Sequence, residues 1–369
     1  MKLLFVGDFF YNYEYLADDL LELSNWIQKE NYQVIVNLEG GLYPSPKPIV
    51  KRGHHLHQSH RAIDMMKKLN VVGACLANNH MMDFGPQALK KTLKTLDENG
   101  IAHTGAGMNV EEALQPMVLG TGKEQTVIVN FAWDVEESVY ATKKHAGCAP
   151  RQQELILNSI KSLRTKYPEA KFIAVMHWGF ELNPLPQPLD VKLAHEMIHA
   201  GFDLIIGHHP HNIQPFELYQ EKAIYYSLGN FYFSGYRSNF NKRRFKGAFE
   251  NLCDYGAMVV FDSESGESVH NQLLVYDIDQ NVSRRVFNDG RVLRDITGAD
   301  FFSATYEEEA RSSSLNKTPI LTLDKKNNQR KLRKLFLSYR ISRLTREVRR
   351  MPVGEWIYQR VKRIHHRDR

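Results

Sequence analysis

Asp8, Glu39, Asn79, His80, His177, His209 and His211 share a chemistry and a setting. Each stands at or just beyond the end of a short apolar run that reads as a strand. Carboxylate, imidazole and amide oxygen, with no thiolate among them, form a donor set suited to Zn²⁺, Mn²⁺ or Fe²⁺. Two such ions about 3.5–4 Å apart need a bridging carboxylate and further nitrogen or oxygen donors. His209 and His211, two residues apart, point the same way if their segment is extended, and Pro210 restricts His209 to that region. A lone histidine after a strand is more often a hydrogen-bonded structural residue. Here five strand ends carry, in order, an acid, an acid, an amide with a histidine, a histidine and a histidine cluster.

The elements that must position these groups follow from hydrophobic pattern. Lys2–Gly7, Gln33–Asn37, Val71–Ala77, Thr126–Phe131, Phe172–Met176 and Asp203–Ile206 are short and rich in Val, Ile, Leu or Phe, as buried strands are. Tyr15–Glu30, Pro86–Glu98, Gln152–Lys166 and Val191–Ala200 have helical spacing, with Pro86 suited to a first turn and Gly100 and Gly201 to helix stops. Strand–helix alternation predicts a layered α/β fold, whose chemistry gathers at the carboxyl ends of the strands. After residue 213 strands follow one another, at Gln214–Tyr219, Lys222–Ser227, Ala257–Phe261 and Ser268–Val275, which predicts a second sheet region with hairpins.

The chain has 369 residues, 43% hydrophobic and 24% charged, which excludes wholesale disorder and fibrous repeats. Mean hydropathy is −0.43, and no apolar run of about 18 residues is present to span a membrane. The apolar start meets Asp8 too early for a signal peptide. Cys75, Cys148 and Cys253 are odd in number and far apart, which fits a reducing, cytoplasmic setting rather than a disulfide framework. Of the net charge of +6, residues 325–369 supply +13 (16 Lys/Arg against Glu347, Glu355 and Asp368), which leaves residues 1–324 at −7. Within that tail Leu337, Ile341, Leu344 and Val348, then Val353, Ile357, Val361 and Ile364, fall at helical spacing among arginines. The expected division is a body over residues 1–305, a polar linker over 306–324 and a basic amphipathic helical tail over 325–369.

Six motifs stand in the order of a known family. They are Gly7-Asp8; Asn37-Leu38-Glu39; Ala77-Asn78-Asn79-His80 with Asp83-Phe84-Gly85; His177-Trp178-Gly179-Phe180-Glu181; Gly207-His208-His209-Pro210-His211; and Tyr226-Ser227-Leu228-Gly229-Asn230-Phe231. Residues 2–234 thereby resemble the poly-γ-glutamate capsule-biosynthesis (CapA-like) family, a branch of the calcineurin-like metallophosphoesterases. The resemblance implies a four-layer α/β/β/α sandwich with one or two divalent ions (Mn, Zn or Fe) at the strand ends. It implies that Asp8, Glu39, Asn79, His177, His209 and His211 are metal ligands, Glu39 in the bridging place. It also implies that His80 acts on substrate and that His208 is a neighbour outside the ligand set. Two positions depart from the phosphoesterase pattern: Phe10 stands where Asp-x-His has its histidine, and Glu39 replaces an aspartate.

Further basic residues are candidates for substrate. Lys51-Arg52-Gly53-His54-His55-Leu56-His57, ahead of a helix, offers an anion clamp in Arg52 and His54, an additional imidazole, or only a solvated loop. Arg237 and Arg243, with Lys242, Arg244 and Lys246, would attract phosphate or polycarboxylate if their loop folds over the site, and are otherwise solvated. Asn230 completes this substrate-binding set. Glu181 is a candidate acceptor for His177, or a surface carboxylate.

The expected function is a metal-dependent phosphoester hydrolase acting on an anionic polymer or its phosphorylated precursor in capsule synthesis, with His80 protonating the leaving group. The alternative is a non-catalytic component that binds the polymer or a membrane synthase through the same fold. The tail would lie on an anionic membrane face, or pack on the acidic body. A nucleic-acid enzyme ranks lowest, because few stacking aromatics interleave the tail's charges.

Overall fold

The apolar runs form strands covered on both faces: every residue of the run Leu3–Phe10 is buried, as is every residue of Thr126–Ala132. The computed structural model describes residues 1–12, 21–51, 54–133, 137–233, 255–277 and 282–287. In chain order the first elements are β1 (Lys2–Phe10), α1 (Leu21–Lys29), β2 (Gln33–Leu38), α2 (Ala62–Lys68), β3 (Val71–Cys75), α3 (Gly85–Glu98), β4 (Ala102–Thr104), β5 (Ala106–Gly107) and α4 (Val110–Ala113). Then come β6 (Met117–Leu119), β7 (Thr126–Ala132), β8 (Gly147–Cys148), α5 (Gln153–Lys166), β9 (Lys171–His177), α6 (Pro188–Ala200) and β10 (Leu204–His208). The last are β11 (Phe216–Tyr219), β12 (Lys222–Tyr225), β13 (Asn230–Phe233), β14 (Tyr255–Asp262), β15 (Ser268–Asp277) and β16 (Val282–Phe287).

Two mixed sheets carry the fold. The first has the order β16-β15-β14-β1-β2-β3-β4, with β13 also paired to β1, and the second has the order β11-β12-β10-β9-β7-β6. Three apolar cores separate four layers. Leu3, Phe5 and Ile35 of the first sheet meet Ile128, Ile173, Val175 and Ile206 of the second. On the outer face of the first sheet lie Ile27 of α1, Met66 of α2 and Leu89 of α3. On the outer face of the second lie Ile160 of α5 and Val191 and Met197 of α6. Each of these fully buried side chains contributes about 1.5–3 kcal/mol by leaving water. The α/β/β/α sandwich implied by the family resemblance is the architecture observed. Pro86 lies in the first turn of α3, and Gly201, with φ +114°, ends α6.

One expectation is corrected. The strands after residue 213 do not form a separate sheet region. β11 and β12 join β10 in the second sheet, whereas β14, β15 and β16 extend the first, with β14 antiparallel to β1 from Lys2↔Asp262 to Phe5↔Val259. Further along, the same edge of β1 runs on beside β13, with Asp8 opposite Asn230. The linker 306–324 and the tail 325–369 lie outside the described residues.

Candidate metal centre at the strand ends

Register brings the polar residues of the two sheets to one edge. Asp8 sits opposite Asn37 of β2, and Asn37 opposite Cys75 of β3, while His177 sits opposite His208 in the second sheet. The chain from Tyr226 to Asn230 laces the sheets together: Leu228 N–H donates to Gly207 O (3.1 Å), and Asp8 N–H donates to Gly229 O (2.9 Å). That lacing needs glycine at two places. A Cβ on Gly207 would lie 1.8 Å from the Tyr226 carbonyl oxygen, and one on Gly7 would lie 2.2 Å from that of Gly229. Asn130 of β7 ties in the third strand end, accepting from Ala77 N–H at 2.5 Å and donating to Val175 O at 3.0 Å.

At this edge Asp8, Glu39 and His211 form a buried cluster whose ligating atoms all lie within 4.8 Å of one another. Asp8 Oδ2 is 3.3 Å from His211 Nδ1 and accepts from His209 N–H at 3.3 Å; its Oδ1 accepts from Asn37 Nδ2 at 2.7 Å and is 2.9 Å from His208 Nδ1. Burial pushes the Asp8 pKa up, but the imidazoles of His208 and His211 more than reverse this and hold it well below the usual carboxylate range. Glu39 has the opposite balance: burial raises it to about 8, against the pull of His211. For His211, burial acts downward, and the carboxylates of Glu39 and Asp8 carry it up to about 10. Burial lowers His209 to about 3 and, with His209 beside it, holds His177 well below its ordinary value.

His177 and His209 face one another with ring centroids 4.7 Å apart, and His177 Nε2 lies 3.0 Å from Asn79 Oδ1. Asn79 is half-buried. His80 is turned differently: its Nδ1 lies 2.8 Å from Asp83 Oδ2 and 2.9 Å from Lys51 Nζ, which leaves Nε2 facing Glu39 Oε1 at 3.9 Å. Burial lowers its pKa to about 4.

The donors fit a cation. Both carboxylate oxygens of Glu39 and both ring nitrogens of His209 are buried without a hydrogen-bond partner, an arrangement that costs about 1–3 kcal/mol per group unless something binds there. Carboxylate and imidazole are the atoms a divalent transition metal takes.

The structure revises several sequence expectations. His209 and His211 are not extended; their φ angles are +97° and +57°. The loop is held instead by the Asp8 bond to His209 N–H and by Leu182 N–H on Pro210 O (2.9 Å), outweighing the preference set by Pro210. Asn37 and Asn79, rather than Glu181, stand at the His177 ring nitrogens, at 3.4 and 3.0 Å, and Glu181 is exposed. Asn230, a substrate candidate from sequence, is 5% exposed and its Oδ1 lies 3.0 Å from His211 Nδ1. Phe10 packs on Phe233 with ring centroids 5.0 Å apart. His54 is exposed, and Arg52, Arg237 and Arg243 lie outside the described residues.

Asn37, Asp83 and His208 belong to the site although sequence assigned them no role in it. The signals were spacing: Asn37 shares the strand face of Glu39 two residues on, and Asp83 follows His80 by three.

The model of the family described as "Bacterial capsule synthesis protein PGA_cap" matches residues 3–235, the span that holds every residue of this centre. The chain belongs to that family. Its similar relatives include the "Capsule biosynthesis protein CapA" of Bacillus anthracis, 33% identical over 181 residues, which are 48% of this chain and 44% of that protein. A "Probable polyglutamine synthesis accessory protein" of Mycobacterium tuberculosis is 31% identical over 210 residues, covering 53% of this chain and 54% of the relative. The chain thus spans about half the length of the curated relatives it matches. Among solved structures, the sulfate thiohydrolase SoxB of Thermus thermophilus aligns with 65% of this chain and 38% of its own at 12% identity, with a TM-score of 0.40.

Proposed function

We propose that this capsule-synthesis family member is a metal-dependent phosphoester hydrolase acting on an anionic polymer of the poly-γ-glutamate type or on its phosphorylated precursor. The observation that carries the proposal is the set of unpartnered, buried atoms on Glu39 and His209, with His80 Nε2 facing Glu39 from 3.9 Å. Asp8, Glu39 and His211 would hold a cation, and Asn79, His177 and His209 would supply further donors around the shared Glu39. A divalent ion there supplies Lewis acidity toward a phosphoryl oxygen. The chain's own contribution is to exclude water from the carboxylates, to fix the donors on two sheets, and to present His80. That histidine, tied at Nδ1, faces the site with Nε2 and would give a proton to a leaving oxygen from its imidazolium form, which burial disfavours by lowering its pKa to about 4. The names of the Bacillus and Mycobacterium relatives support the polymer class.

The non-catalytic alternative has one observation of its own: Phe10 puts an apolar ring, packed on Phe233, where the phosphoesterase pattern has an imidazole. A membrane synthase is the partner we propose for either function, reached through the tail at the cytoplasmic membrane face. No helix of the described residues is long and apolar enough to cross a membrane. Turnover of bis(p-nitrophenyl) phosphate by manganese-, zinc- and iron-loaded protein tests the proposal. Hydrolysis above background supports the enzyme, and loaded protein without turnover supports the binding component.

A further inference from the structure

Between Glu39 and the 78–84 loop the chain inverts its expected polarity: Val50 is 68% exposed, whereas the neighbouring Lys51 side chain is 5% exposed. A lysine drawn inside must find partners for three N–H donors. Lys51 Nζ has three: Asp83 Oδ1 at 2.5 Å, Asn79 O at 3.0 Å and, with the ring proton on Nε2, the His80 Nδ1 lone pair at 2.9 Å. The backbone that delivers it is fixed on the same loop, with Ile49 N–H on Asp83 O (2.8 Å) and Leu56 N–H on Asp83 Oδ2 (2.8 Å). Asp83 is itself wholly buried, so the ammonium and the carboxylate close on one edge of the His80 ring. A buried ion pair of this kind is seldom more stabilising than an apolar pair of the same volume, so stability is a poor reason for it.

We propose that Lys51 is a positioning residue for His80: with Asp83 it grips the Nδ1 edge of the imidazole and keeps Nε2 turned to the Glu39 carboxylate. For turnover this rests on the hydrolase proposal above; for the ring it rests on geometry alone. Partners of a reacting histidine fix its tautomer and orientation, and their loss typically costs about 10–100-fold in activity. Lys51 Nζ meets Asn79 at its backbone carbonyl rather than at the Oδ1 that would ligate, so among the site's rings it is His80 that its side chain holds directly.

The test is ¹⁵N NMR of the histidine rings in the full chain, with His80→Asn used to assign the His80 signals. Wild type is expected to show one fixed tautomer at His80. Lys51→Met leaves Asp83 Oδ2 as the partner at Nδ1, and is expected to move the His80 signals to the Nδ1–H tautomer, to keep the metal content, and to lower kcat about 10–100-fold with little change in KM. Lys51→Arg is expected to recover part of both. His80 signals and kcat unchanged in Lys51→Met would overturn the proposal. If Lys51→Met does not fold because Asp83 is left unpaired, Lys51→Met with Asp83→Asn removes both charges, and unchanged ring signals there overturn it equally. If wild type turns nothing over, the hydrolase proposal fails, while the ring signals still decide the role of Lys51.

Discussion

The Nε2 atom of His211 lies 3.5 Å from Oε1 of Glu39, so the imidazole shares the buried carboxylate edge that a cation would occupy. Protons compete with a cation at both groups, because burial raises the Glu39 pKa and the carboxylates of Glu39 and Asp8 raise that of His211 against burial. Each must be unprotonated to ligate. The sign follows: a raised pKa on a ligand means that protons compete with metal below that value, so affinity increases with pH. Metal binding at pH 7 is expected to release about one proton or more, and affinity is expected to rise from pH 7 towards 9. Titration calorimetry in buffers of different ionisation enthalpy measures the release. Binding that is independent of pH and buffer would contradict it.

Asp83 and Lys51 engage the Nδ1 atom of His80, and its Nε2 stands 3.9 Å from Glu39 Oε1. His80→Ala is therefore expected to keep the metal and to lose turnover by about 10²–10⁴-fold, the range for a general acid. Metal analysis beside kinetics on the generic diester separates the roles. Loss of the ion in this variant would make His80 a ligand.

The tail makes a prediction that its composition alone carries. Sixteen Lys/Arg against three acids over residues 325–369 are expected to hold the protein on anionic vesicles at low salt. Each basic residue near such a surface is worth about 1 kcal/mol before screening. Truncation after Leu323 is expected to abolish sedimentation with anionic vesicles and leave neutral ones unaffected. Full-length protein that ignores anionic vesicles would point to packing of the tail on the acidic body or on a partner.

What was legible in the sequence was the part written in local pattern. Apolar runs closing on Asp8, Glu39, His177 and His208 are short-range features, and the strands were found with their polar ends. Partnership between distant strands is not a local property. Ala257–Phe261 reads as a strand, and the structure extends it to β14 at Tyr255–Asp262, but nothing in it says that it pairs with Lys2–Phe5 rather than with its neighbours. The Tyr226–Phe231 motif was visible as a motif, while its task, threading between two glycines that lack a Cβ to obstruct it, needed both sheets in place. His209 misled in the other direction, because a hydrogen bond to a carboxylate 201 residues away outweighs a preference set by the next residue. The basic segment 51–57 was read as a unit, yet the fold divides it, burying Lys51 on Asp83 and leaving His54 exposed.

The central claim is that the buried edge built from Asp8, Glu39, Asn79, His177, His209 and His211 holds a divalent transition metal. Elemental analysis of the purified chain tests it most directly, comparing wild type with the His209→Ala, His211→Ala double variant after equal exposure to manganese, zinc and iron and equal desalting. The account predicts about one or two ions per chain in wild type and a content near zero in the variant, with both proteins folded by circular dichroism. Equal content in the two, whether near zero or not, would contradict it.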